Sequence, residues 1–353
     1  MTGRERVLAQ LRGDEVDRLP LMPITMMFAA DTIGVKYRDY ATDHRLLARA
    51  QIETATRYDF DHVSAISDPA REAADLGAEI ELFDDQPPMV VGSRARLTRK
   101  ADLARLVPPD PLSGERMRDR VEAIRLLARS VGREKVIEGW VEGPCAEAAG
   151  LRGMQALMLD FFDDPGFVRD LLAFVLELGL RFARAQVEAG ADLIGIGDAA
   201  ASLIGPGLYR EFVLPCEQAL VDGVHEMGAR VRLHICGSTR KLLPDLGGLS
   251  VDILDLDWMV PVAEARAWTG ADQVLLGNID PVSVLRNSTP GEVGESIARC
   301  HREAGPRYIV GAGCEVVRDS PVDNVRAMVD YARSHRPDAA TGAGARAEWE
   351  PRR

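Results

Sequence analysis

Short apolar runs rich in β-branched residues alternate along the chain with longer amphipathic stretches. The runs fall at 19–24, 62–66, 136–140, 192–196, 230–234, 251–256, 273–276 and 308–310. Between them apolar residues recur at helical spacing, for example over 164–189, 206–227 and 290–304. Several of these stretches carry a start signal: Asp163 and Asp164 precede Pro165, Thr289 precedes Pro290, and Ser320 precedes Pro321. The side-chain oxygen satisfies a free helical N–H, and the proline ring has none to satisfy. Gly190 and Gly228 stand where helices should stop before the next strand. Eight strand–helix units predict an α/β fold, a single (β/α)8 TIM barrel over 1–336, in preference to an open doubly wound sheet. Two segments fall outside the repeat. Residues 78–91 alternate around a turn-like Asp-Asp-Gln-Pro-Pro and predict a β-hairpin excursion after strand 2. The tail 337–353 is rich in Ala, Gly, Arg and Glu without an apolar period, and is expected to be disordered.

Charge then removes whole classes of function. With 43 Lys+Arg against 55 Asp+Glu the net charge is −12, which argues against nucleic acid or an anionic membrane as partner. No apolar run is long enough to cross a bilayer; 171–180 is short and carries Glu177. The N-terminus has no apolar signal core, so a cytoplasmic protein is expected. A glycine-rich dinucleotide fingerprint and a P-loop are both absent. Five cysteines in such a chain argue against a disulfide framework and raise metal or catalytic roles.

In a parallel barrel, chemistry gathers at the C-terminal ends of the strands. That rule selects Asp68, Glu142, Asp198, His234 with Cys236, Asp257, Asn278 with Asp280, and Cys314 with Glu315. His234 and Cys236 lie two apart at a strand end and project to the same face, and Gly237 then lets the backbone bend. Cys314 follows Gly311-Ala-Gly at the end of the last strand. One imidazole and two thiolates suit Zn²⁺ and leave its fourth position open, as catalytic zinc requires. The plain alternative is a histidine packed beside buried thiols, which is what Cys145, Cys216 and Cys300 are expected to be. Zinc of this kind stabilises a substrate thiolate that can attack an electrophilic methyl group. Zinc-assisted hydrolysis competes, with Glu142, Asp198 or Asp257 as general base.

The residues also resemble a known family. The matching stretches are Glu142-Gly-Pro, Ala149-Gly-Leu-Arg-Gly153, Gly190-Ala-Asp-Leu-Ile, Pro206-x-x-Tyr-Arg-Glu-Phe-Val-Leu-Pro215, His234-Ile-Cys-Gly237 and Asp255-Leu-Asp-Trp258. Gly277-Asn-Ile-Asp-Pro281, Gly313-Cys-Glu-Val316 and Pro321-Val-Asp-Asn-Val325 complete the set. Together they resemble the uroporphyrinogen decarboxylase superfamily and, within it, the zinc-dependent corrinoid:coenzyme M methyltransferase branch. The resemblance implies His234, Cys236 and Cys314 as zinc ligands, with a methyl group moving between a corrinoid (methylcobalamin, on a partner protein) and a small thiol. It leaves Glu142, Asp198, Asp257 and Asn278 open between positioning the thiol or filling the resting zinc site and ordinary strand-end hydrogen bonding. The decarboxylases hold a polycarboxylate substrate with an arginine-rich motif after the first strand. Here 20–30 contains no Arg or Lys, and Met26 and Phe28 offer an apolar surface for a corrin ring or simply barrel core. Lys stands only at 36, 100, 135 and 241, the Arg-heavy usage of a GC-rich genome, so the thiol need not be coenzyme M and the reverse transfer stays open. A decarboxylase or zinc hydrolase on the same barrel is the alternative, and a homodimer is left open.

Overall fold

The computed structural model describes residues 1–337, so the tail expected to be disordered lies outside the described residues except for Pro337. The strands are β1 (His62–Ser64), β2 (Ile80–Glu81), β3 (Met89–Val90), β4 (Val136–Glu142), β5 (Leu193–Gly197), β6 (Arg230–His234), β7 (Ile253–Asp255), β8 (Val274–Leu276) and β9 (Tyr308–Ile309). Among the described residues seven of them form one curled parallel sheet in the order β1-β4-β5-β6-β7-β8-β9. Helices separate most consecutive strands, and both faces of the sheet are buried, which is why its strands read as near-continuous apolar runs. β2 and β3 pair antiparallel, Ile80 opposite Val90, between β1 and β4 in sequence.

The run at 19–24 departs from the regular strand that its pattern predicts. Only Leu21 forms a parallel bridge, to Val310. On one side Met22 N donates to Val310 O at 2.9 Å; on the other Asp61 N donates to Leu21 O at 2.9 Å. Pro20 and Pro23 supply no N–H, so a continuous ladder cannot form. The segment therefore touches both outer edges of the seven-stranded sheet through isolated bonds. The predicted helix over 206–227 is also interrupted. It runs as Gly205–Leu208, a wide π-type turn Tyr209–Val213, and Leu214–Glu226. Pro215 cannot donate to the carbonyl four residues back, and the backbone widens just ahead of it.

Two features set the stage for the site. Inside the sheet a layer of Met22, Val136, Leu193, Ile253, Val274 and Ile309 packs under Val7 of the helix Gly3–Arg12, so the N-terminal end is filled. At the other end register aligns Glu142 with Gly197, Gly197 with His234, and His234 with Asp255. These side chains therefore share one level at the C-terminal ends of their strands.

Candidate metal centre

His234 is the last residue of β6, and Cys236 follows two positions on in the turn that Gly237 opens at φ +87°. That positive φ suits glycine, and Gly237 N donates to Asp257 Oδ2 at 2.8 Å. Cys314 comes from the loop after β9. Its neighbour Gly313 lies flat against Trp258, where a Cβ would stand 2.3 Å from the Trp258 amide nitrogen. His234 Nε2 is 3.1 Å from Cys236 Sγ, and the two sulfurs are 3.9 Å apart. All three donor atoms lie within 4.8 Å of one another. The structure thus brings together a soft N,S,S set, close enough for one ion to bind all three.

The support behind His234 is electrostatic. Its Nδ1 is 3.1 Å from Asp255 Oδ2, and Asp255 pairs with Arg232 at 2.8 Å. Arg232 reaches on to Glu138 at 3.1 Å, and Glu138 lies 3.6 Å from His62. Burial alone would lower the His234 imidazole; Asp255 and then Cys236 more than offset it and hold its pKa well above the ordinary range. Burial likewise opposes ionisation of Asp255, but Arg232 and His234 keep it below the usual carboxylate range. An anionic acceptor on Nδ1 aims Nε2 at the thiols, the arrangement that orients a histidine whose Nε2 proton a metal would displace. The two thiols lie within hydrogen-bond reach of each other. Their mutual hydrogen bond pushes Cys314 down to about 4 and Cys236 up, so one sulfur carries thiolate character.

These groups open onto a cavity of about 200 Å³. Ile24, Met26, Ile66, Pro69 and Trp140 make its apolar wall, and Asp68, Glu142 and Glu315 its acidic one. Glu142 pairs with Arg71 at 2.8 Å. Burial drives its carboxyl well above the ordinary range; Arg71 opposes this while Glu72 adds to it. Glu315 Oε1 accepts from Met27 N at 2.6 Å, and burial pushes its carboxyl up to about 8.

Residues 2–335 match the family model described as Uroporphyrinogen decarboxylase (URO-D). The chain belongs to that family. It is 29% identical over 341 residues to the methylcobamide:CoM methyltransferase MtbA of Methanosarcina mazei, covering 95% of this chain and 98% of that one. It is 28% identical over 289 residues to the uroporphyrinogen decarboxylase of Gloeobacter violaceus, covering 79% and 81%. A solved methyltransferase from Methanosarcina mazei superposes with a TM-score of 0.86 at 23% identity over 95% of this chain and 99% of that one, and so shares the fold. The family's named members thus divide between transferases and decarboxylases.

Of the other expected site residues Met26 lines this family member's cavity, whereas Phe28, Asp198, Asp257, Asn278 and Asp280 are not part of its lining. Asp198 accepts from Cys145 N at 3.1 Å and Ala146 N at 2.7 Å, at the start of the helix Pro144–Arg152. Burial raises its carboxyl to about 6, and the two backbone N–H groups oppose that rise. Asp257 accepts from Gly237 N and Met259 N, both at 2.8 Å, bracing the turns beside Cys236. Asn278 Nδ2 donates to the carbonyls of Asp257 and Val260 at 2.8 and 2.5 Å. Phe28 is buried against Tyr58, with ring centroids 5.5 Å apart, whereas Met26 reaches the cavity wall. Asp280 accepts from Val282 N and Ser283 N at 2.8 and 2.9 Å, as a cap. Among the described residues no helix is long and apolar enough to cross a membrane. Asp255 is a further functional residue, the support of His234, and its alternation with Asp257 at a strand end is the sequence signal for it. Trp140 and Arg71 carried no signal at all, since their place on or behind the wall depends on the curl of the sheet.

Proposed function

We propose that this protein is a zinc-dependent methyltransferase that moves a methyl group between a corrinoid, carried on a separate protein, and a small thiol. The observation that carries the reading is the convergence of His234 Nε2 and the sulfurs of Cys236 and Cys314 within 4.8 Å. Zinc held by these atoms supplies one thing: it keeps a thiol deprotonated yet nucleophilic at neutral pH. The rest falls to the chain. Asp255 holds the Nδ1 proton of His234, and Arg232 holds Asp255. Asp257 fixes the turn that aims Cys236. Glu142, whose buried carboxyl titrates above the ordinary range, accepts the thiol proton at its carboxylate and passes it to solvent at the mouth. When the thiol is the acceptor, the substrate's carbon–cobalt bond breaks with both electrons staying on cobalt, a carbon–sulfur bond forms, and the thiol proton is released.

The cavity size supports a small thiol inside and a corrin outside. About 200 Å³ admits a few heavy atoms and cannot enclose a tetrapyrrole. The macrocycle then meets the protein at the mouth, where Met26 reaches the wall and Trp258 stands half exposed beside Gly313. We read 19–24 as the eighth stave of a barrel spanning 1–336, which brings Met26 to that mouth. Decarboxylation of a polycarboxylate finds no support here, because the wall has carboxylates where such a substrate needs guanidiniums.

Purified protein loaded with zinc should consume methylcobalamin, read by absorbance, and produce a methyl thioether when a thiol is supplied from a panel. Zinc-loaded protein that leaves methylcobalamin untouched with every thiol, or that decarboxylates a porphyrinogen, would contradict the proposal.

A further inference from the structure

The reading above leaves the thiol unspecified, and the charge of the cavity wall bears on it. Apart from the three metal-binding candidates, its ionisable groups are Asp68, Glu142 and Glu315; among the described residues no Lys or Arg lines it. Two guanidiniums lie close by, and both are already engaged. Arg116 pairs with Asp68 at 2.5 Å and Arg71 with Glu142 at 2.8 Å, and Arg71 is fully buried. Glu72 donates no relief: it accepts from Glu142 N at 2.9 Å and shares Arg71 at 3.3 Å. Glu147 is buried nearby with neither carboxyl oxygen hydrogen-bonded. Arg318 approaches Glu315 from outside but is held by Asp31 at 2.7 Å. Three carboxyl groups, Asp68, Glu142 and Glu315, therefore line the cavity, while Glu72 and Glu147 stand behind the wall with Arg71 and Arg116.

A negative group brought into this space would find no unengaged cation on the wall and would raise further a Glu142 carboxyl that burial already holds above its ordinary range. A positive one would gain charge-assisted hydrogen bonds to Asp68, Glu142 or Glu315 and would rest near the indole of Trp140. We propose that the thiol taken up here carries a cationic amino group close to its sulfur, an aminothiol, and that the site rejects an anionic thiol such as the sulfonate coenzyme M. This inference rests on the methyltransferase reading and names its substrate class. Nη1 of Arg71 and of Arg116 are buried without partners and are what an anionic thiol would have to recruit. Both belong to guanidiniums outside the wall.

The test compares 2-aminoethanethiol, 2-mercaptoethanol and 2-mercaptoethanesulfonate as acceptors from methylcobalamin, with calorimetric binding of their S-methyl products to the zinc-loaded protein as a second readout. The aminothiol should exceed the sulfonate by about tenfold or more in kcat/KM, with the uncharged compound between them, and the product affinities should follow that order. Met26→Lys, which adds a cation to the wall, should shift both orders toward the sulfonate. Methyl transfer that favours the sulfonate or the uncharged thiol overturns the aminothiol assignment and leaves the methyltransferase reading standing. Methyl transfer to no thiol at all overturns both.

Discussion

At the N-terminal end of the strands, Asp61 is fully buried and both its oxygens are used. Arg6 reaches Oδ1 at 2.6 Å, Arg18 reaches Oδ1 and Oδ2 at 3.0 and 3.1 Å, and Leu21 N donates to Oδ2 at 2.8 Å. Arg6 also pairs with Asp17 at 2.7 Å, so the helix Gly3–Arg12 is tied to the floor of the sheet. At the mouth the buried polar groups are left incomplete. Both oxygens of Glu147, one of Asp255, and Nη1 of Arg71 and Arg116 have no hydrogen-bond partner, while two thiols crowd one imidazole. The same kinds of side chain serve stability where their bonding is closed and chemistry where it is left open.

Breaking the closed end should have the largest effect on stability and little on chemistry. Asp61→Asn removes the buried carboxylate that Arg6 and Arg18 share, leaving Arg6 to Asp17 and Arg18 to Asp59, and should cost about 3 kcal/mol of unfolding free energy. Thermal or urea denaturation would show it, with zinc content and methyl transfer of the surviving folded protein unchanged. A comparable drop in zinc affinity at full stability would erase the distinction between the two ends. Loosening the open end should act the other way. Asp255→Asn keeps the shape but removes the anion behind His234, and should weaken zinc binding about 10–100-fold. Competition with a chelator reads that directly. Zinc affinity equal to wild type would show that Asp255 serves only Arg232.

The difference between the ends also explains what could be read from sequence. β6 alternates as Arg-Val-Arg-Leu-His and buries Arg232 in ion pairs with Glu138 and Asp255, whereas β4 and β5 were legible from their mostly apolar residues, as strands buried on both faces are. The run at 19–24 has the same apolar character, but Pro20 and Pro23 deny it a ladder that composition alone implied. His234 and Cys236 were legible because alternation along a strand is a local rule, and Cys314 because it follows the last strand of the same parallel sheet, whose curl gathers the strand ends. The roles of Asp198, Asp257 and Asn278 were not. Each stands at a strand end as expected, and only the path of neighbouring loops decides that its atoms cap a helix or brace a turn. Glu315 was legible as a mouth residue, but its bond to Met27 N spans 288 positions and has no sequence signature.

The central claim is that His234, Cys236 and Cys314 hold one catalytic zinc. It is tested most directly by measuring zinc per chain and methylcobalamin:thiol transfer on the same preparations of wild type and Cys314→Ser. The account predicts about one zinc per wild-type chain, loss of that zinc in the variant, and loss of methyl transfer with it. Wild-type protein that transfers methyl groups at full rate without zinc, or a Cys314→Ser protein that keeps both metal and activity, would contradict it.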